Sequence, residues 1–143
     1  MTDCVFCSIV AEDSPAYRLY EDEHSLAFLD IEPATRGHTL VIPKTHYETT
    51  TDMPESLAGR VFKTVHQVTA SLESAYQLDG FALVQENGVT ANQDVPVPHA
   101  HIHIIPRYGD DDPFDLGWRS ERVDETTQQE VAATVRDELT SDA

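Results

Sequence analysis

Lysine is almost missing from this chain. Its 143 residues carry 26 acidic and 9 basic side chains, with Lys44 and Lys63 the only lysines, and the formal charge is −17. A surface of that sign repels nucleic acid and anionic lipid, so no nucleic-acid or membrane partner is expected. At about 1 M salt the Debye length is only ~3 Å and such self-repulsion is screened. The composition therefore fits a halophilic host with molar salt inside, and reports habitat rather than activity. Cysteine is scarce too. Cys4 and Cys7 stand too close together to staple a fold, and an intracellular chain would keep them reduced. Apolar runs fall far short of the ~20 residues of a membrane span. The start Met-Thr-Asp-Cys lacks the basic-then-apolar pattern of a secretory signal, and the expected location is cytoplasmic. Hydrophobic residues nonetheless make up 40% of the chain, enough for one domain with a core.

What is present divides by period. Residues Cys4 to Ala11 read as a short helical turn closed by Asp13-Ser14-Pro15. Tyr17 to Tyr20 and Ser25 to Asp30 read as a hairpin, and His38 to Pro43 as a third strand. These strands lie too close together for helical crossovers, so the sheet is expected to be antiparallel. From Leu57 to Tyr76 apolar residues recur every three or four positions, predicting a helix of about six turns. Asp52 and Glu55 resemble its capping box, with Pro54 just inside, and Asp79-Gly80 its end. Phe81 to Gln85 is a further strand. The expected class is α+β: about five antiparallel strands, one long helix and a C-terminal helix. Residues 1–107 form the main domain. Residues 108–143 form an extension, a loop plus an acidic helix over Arg122 to Leu139, expected to pack by one narrow edge on the same domain. No repeat and no second domain are visible.

The most informative stretch is Pro98 to Arg107, Pro-His-Ala-His-Ile-His-Ile-Ile-Pro-Arg. His99, His101 and His103 alternate with Ala100, Ile102 and Ile104, which reads as a strand with its imidazoles on one face and its apolar side chains on the other. Such a row suits two kinds of chemistry. Imidazoles at i and i+2 can share a zinc ion. Alternatively, one imidazole attacks phosphorus while its neighbours donate hydrogen bonds to phosphate oxygens. The spacing alone leaves both open. His24, in a charged turn, and His66, in the long helix, are expected to be ordinary surface residues.

From Cys4 to Arg107 the chain resembles the histidine triad (HIT) family of nucleotide hydrolases and transferases. His99-Ala100-His101-Ile102-His103-Ile104-Ile105 fits the family's pattern of histidines alternating with apolar residues. Ala27 to Ile31, Gly37 to Lys44 and Asn87-Gly88 supply supporting segments in the same order. The resemblance implies that His101 is the nucleophile toward the α-phosphorus of a nucleotide, with its other ring nitrogen donating to a main-chain carbonyl. It implies that His103 and His38 hold the phosphate oxygens and that Asp30, which could otherwise cap a turn, binds the ribose. Val5, Phe6, Phe28 and Ile31 would line the base and sugar pocket, though core packing is an equal reading of these four. Asn87 would sit near the phosphate and leaving group. The substrate would be a purine nucleotide with an AMP-like moiety, either a phosphoramidate or a dinucleoside polyphosphate.

The resemblance also reaches a second cluster. In the zinc-containing, Hint-like branch, two cysteines, a histidine after the third strand and the first triad histidine bind structural zinc. The matching residues are Cys4, Cys7, His46 and His99, and no organic cofactor is implied. A homodimer through the long helix and a sheet edge is implied as well. One segment departs from the pattern: Gln93 stands six residues before His99 rather than four, and Asn92 replaces the usual glycine. This puts the role of Gln93 with the leaving group in doubt and keeps alive a nucleotide-binding adaptor with little turnover. A hydrolase using His99, His101 and His103 as zinc ligands is the third reading. The charge makes its own prediction: the urea midpoint of the protein rises steeply between low and molar salt, and a midpoint indifferent to salt would remove the halophilic reading.

Overall fold

The computed structural model describes residues 4–88, 98–109 and 120–141. It contains a five-stranded, wholly antiparallel sheet and three α-helices, in agreement with the predicted α+β class. Strands β1 (Arg18–Glu21), β2 (Ser25–Leu29) and β3 (Thr39–Pro43) pair in sequence order. The chain then crosses one face of the sheet as a long helix. It returns as β4 (Gly80–Val84) at the far edge and β5 (Ile102–Arg107) between β3 and β4. The spatial order is β1-β2-β3-β5-β4, so the strand that ends the histidine stretch is internal.

Alternation along the strands divides the side chains between two cores. On one face Ala27, Val41 and Ile104 meet Val61, Val65, Val68 and Leu72 of the long helix, α2 (Glu55–Tyr76). On the other, Leu26, Phe28, Leu40 and Ile42 meet Phe6 and Ile9 of α1 (Val5–Val10). This second face is the histidine face, because Leu40 pairs with His103 across β3 and β5.

Local details correct several expectations. The Asp52–Glu55 capping box is not formed. Pro54 is the N-cap of α2 and offers no side-chain bond, while a capping box closes around Thr49 and Asp52 on the preceding 3₁₀ turn, Thr50–Asp52. Thr49 supplies the hydroxyl acceptor that such a box needs. The helix stops at Gln77 in the left-handed region (φ 52°), and Asp79-Gly80 leads directly into β4. Regular pairing in the histidine stretch begins only at Ile102. The N–H of Ala100 donates to Tyr47 O and the carbonyl of His99 accepts from the His101 ring, so neither group is available to a ladder.

The C-terminal helix, α3 (Glu125–Ser141), forms as expected but does not bury its stripe. Val131, Val135 and Leu139 are 51%, 50% and 69% exposed, so the expected packing by one edge is not made among the described residues. One apolar residue per turn is too narrow a stripe to bury a helix against its own domain. No helix among the described residues is long and apolar enough to cross a membrane.

Gly37, just before β3, adopts φ +91°, and a Cβ there would stand 3.3 Å from both Leu72 Cδ2 and Pro106 Cγ. Backbone conformation and crowding thus act together at the residue that precedes His38. Gly37→Ala should lower unfolding free energy by about 1–3 kcal/mol in denaturant titrations, and an unchanged midpoint would contradict this reading.

Candidate active site and metal centre

The triad face is built from α1, the loop before β3, and the approach to β5. His99, His101 and His38 are buried, and His103 is largely so. The hydrogen bonds of these rings determine their tautomers, because main-chain carbonyls only accept and main-chain N–H groups only donate. His101 Nδ1 lies 2.8 Å from His99 O, so Nδ1 carries a proton, and in the neutral ring it is Nε2 that keeps the lone pair. Ala34 N–H donates to His38 Nδ1 at 2.9 Å, which puts the proton of neutral His38 on Nε2. That Nε2–H donates in turn to His103 Nδ1 at 2.9 Å, leaving His103 with an Nε2–H donor. The result is a bare nucleophilic nitrogen beside a neutral N–H donor, with the His101 and His103 ring centroids 5.1 Å apart.

Neutrality is enforced by burial. His103 is pushed down to about 4 by desolvation first and then by its histidine neighbours His101 and His38, with Asp30 opposing. His38 is also lowered by desolvation, against the pull of Asp30. Asp30 Oδ2 stands 3.5 Å from His38 Nε2 and 3.9 Å from His103 Nδ1, while its Oδ1 accepts the Glu32 N–H at 2.8 Å. The carboxylate therefore caps a turn and faces the histidines at the same time. Asp30, His38 and His103 have the composition of a metal set. With the His38 proton on Nε2, however, that nitrogen donates and cannot ligate.

The loop carrying His38 is anchored from behind. Thr35 O–H donates to Pro106 O and Tyr108 O–H to Arg36 O, both at 2.7 Å. The Arg36 guanidinium lies 4.8 Å from the Tyr76 ring centroid and 5.6 Å from that of Tyr108. Asn87 Oδ1 accepts the Thr50 N–H at 2.9 Å, so its NH₂ group is left as the donor.

The expected pocket residues divide. Phe6 and Phe28 are buried with their rings in edge contact at 5.6 Å, and Phe6 also meets His101 at 5.2 Å. Val5 and Ile31 are exposed at the rim, Ile31 by 80%. Gln93 and the segment around it lie outside the described residues. A groove of about 690 Å³ runs between α2 and β1 past Leu19, Val68 and Ala75, and none of the triad histidines lines it. It includes His66, while His24 sits 3.1 Å from Glu23 in its exposed turn.

In the second cluster the ligand atoms of Cys4, Cys7, His46 and His99 all lie within 4.8 Å of one another. His99 Nδ1 is 3.3 Å from Cys4 Sγ and 3.6 Å from Cys7 Sγ, and His46 Nδ1 is 3.2 Å from Cys7 Sγ. Zinc with Zn–S of about 2.3 Å and Zn–N of about 2.0–2.1 Å in a tetrahedron would separate S and N ligands by about 3.6 Å. The donor set and its spacing therefore fit zinc. His99 Nε2–H donates to Pro43 O at 2.8 Å, which leaves Nδ1 free as a ligand. Without a metal, Cys7 is pushed up to about 11 by burial first and then by its bond to Cys4 and that neighbour's charge. A divalent cation would reverse that direction. His99, His101 and His103 do not converge on one point, so the reading of these three as a zinc set is not supported among the described residues.

A fold and site of this kind define a class, and comparison with known proteins gives the same one. The HIT domain model matches residues 11–110, and the chain belongs to the HIT family. A HIT family protein of Bacillus anthracis superposes with a TM-score of 0.88 at 36% identity, over 96% of this chain and 97% of that one. An adenosine 5′-monophosphoramidase of Saccharomyces cerevisiae is 34% identical over 85% of this chain and 73% of its own. A zinc-bound histidine triad protein of Mycobacterium smegmatis has a TM-score of 0.71 and 36% identity, with 97% of each chain covered.

Sequence reasoning could not find the main-chain groups that fix these rings, namely Ala34 N–H, Pro43 O and Thr50 N–H. Every residue carries such groups, and only the folded path selects these. One consequence is testable. Because His103 falls from 6.5 to about 4 on folding, the native state binds fewer protons than the unfolded chain across that interval. The stability it contributes is intact above 6.5 and is lost as the pH falls toward about 4. Urea titrations of wild type and His103→Gln should diverge in that direction, and parallel pH dependences would contradict the assignment.

Proposed function

We propose that this HIT-family protein is a nucleotidyl hydrolase or transferase acting at the α-phosphate of an AMP derivative. The observation that carries the reading is the 2.8 Å bond from His101 Nδ1–H to His99 O, which leaves Nε2 as an unprotonated nucleophile in a buried site. In the proposed reaction His101 Nε2 forms a bond to the α-phosphorus as the bond to the leaving group breaks. The leaving group departs with the bonding electron pair and takes a proton from solvent; water then adds its hydroxyl to phosphorus and returns a proton to solvent as the phosphorus–nitrogen bond breaks, releasing AMP and restoring the imidazole. His103, neutral and with Nε2–H as donor, supports the phosphate oxygens. His38 keeps His103 in that tautomer through the 2.9 Å bond to Nδ1. Asp30 and the rim residues Val5 and Ile31, with Phe6 and Phe28 behind them, are assigned to ribose and base. Asn87 is assigned to the phosphate side.

The name of the yeast relative favours a phosphoramidate over a dinucleoside polyphosphate, which remains the alternative substrate. Structural zinc is assigned to Cys4, Cys7, His46 and His99 on the fit of the donor set, in line with the zinc-bound mycobacterial relative. A homodimer is proposed across α2 and the open edge of β4, where Phe62, Phe81 and Leu83 are exposed beside one another. The protein is assigned to a salt-rich cytoplasm on its charge.

Brief mixing with an adenosine phosphoramidate in molar salt, followed by peptide mass spectrometry, should reveal AMP bonded to His101. His101→Ala should abolish turnover and retain nucleotide affinity. An active His101→Ala protein would sink the enzyme reading as stated. Wild type that binds nucleotide but turns none over would favour the adaptor.

A further inference from the structure

One residue belongs to both clusters. The His99 ring points Nδ1 at Cys4 and Cys7, 3.3 and 3.6 Å away, and donates from Nε2 to Pro43 O at 2.8 Å. Its main-chain carbonyl holds the Nδ1–H of His101 at 2.8 Å. A ring tied at both nitrogens cannot turn without breaking one of those ties. The direction of the carbonyl follows the backbone to which that ring is attached. If the cysteine side is released, the ring keeps one polar tie, at Pro43, and the acceptor that fixes the nucleophile's tautomer loses one of its anchors.

A second route runs through α1. Phe6 lies between Cys4 and Cys7 in sequence, and its ring meets His101 edge-on at 5.2 Å and His99 at 5.9 Å. The helix is six residues long, and its N-cap is Cys4 itself, whose sulfur accepts the Cys7 N–H at 3.3 Å. A segment this short has little helical stability of its own. Phe6 is held by the core it packs into, and the two cysteines that flank it anchor the segment that sets its approach to His101.

We propose that Cys4, Cys7, His46 and His99, when they hold their metal, act as positioning residues for His101. They set its attacking orientation through the His99 carbonyl and through Phe6, so that metal and nucleotide binding are thermodynamically linked. The inference rests on the nucleotidyl-transfer reading above and extends it: the metal set acts on the nucleophile as well as on the fold. Binding linkage is reciprocal, so a nucleotide that fixes His101 must also tighten the metal.

The test begins with metal analysis of wild type purified without chelator, where about one zinc per chain is expected. Zinc release to a colorimetric chelator is then followed with and without AMP, and AMP should slow it by about five-fold or more. His46, the exposed ligand, is replaced in His46→Ala, and circular dichroism checks the fold. After chelator treatment this variant should turn over an adenosine phosphoramidate about ten-fold or more slowly than zinc-loaded wild type and bind AMP about five-fold or more weakly. AMP that leaves zinc release unaltered would overturn the proposal, as would a metal-stripped, folded His46→Ala protein with wild-type kcat. Wild type without zinc would overturn it together with the metal assignment. Failure to trap AMP on His101 is a separate result and would strike the nucleotidyl reading instead.

Discussion

The hydrogen bond from His101 Nδ1–H to the His99 carbonyl is the interaction on which the rest of this molecule depends. An imidazole in water exchanges tautomers freely and is half protonated near its ordinary pKa of about 6.5. Here one nitrogen is committed to a carbonyl two residues away, and the other is presented bare. The arrangement requires the chain to depart from regular strand geometry just before Ile102. The price of that departure is met locally, by the bond from Ala100 N–H to Tyr47 O.

Around that bond the structure arranges two relays of opposite character. On one side, Ala34 N–H, His38 and His103 form a chain in which each group fixes the proton of the next, ending in a neutral donor beside His101. Burial is what keeps this chain neutral, and Asp30 limits the effect without reversing it. On the other side, Pro43 O fixes His99 so that its remaining nitrogen faces two thiols. The first relay starts in the loop that leads into β3 and the second at Pro43, the last residue of that strand. The internal position of β5 beside β3 brings them together.

Much of the fold could be read from periodicity. The six-turn helix, the early hairpin and the antiparallel sheet follow from where apolar residues recur, because burial of one face imposes that recurrence. Element ends were less legible. Asp52–Glu55 has the composition of a cap, but Thr49 was the residue placed to accept, so the box closed one turn earlier. The α3 stripe showed a helix correctly and its burial incorrectly, since periodicity reports amphipathicity without naming the surface that covers it.

The site divides along the same line. The residue types and their alternation at 99, 101 and 103, with Cys4 and Cys7 at the start, determined which chemistry was available, because few folding purposes need three imidazoles in a row. The alternation also pointed to rings on a shared face, although regular pairing begins only at Ile102, so the tertiary path and not strand geometry places His99 and His101. Tertiary structure alone decided which nitrogen of each ring is free. That depends on main-chain donors and acceptors from Ala34, Pro43 and His99, which are identical in every residue and acquire meaning only from where the folded chain carries them.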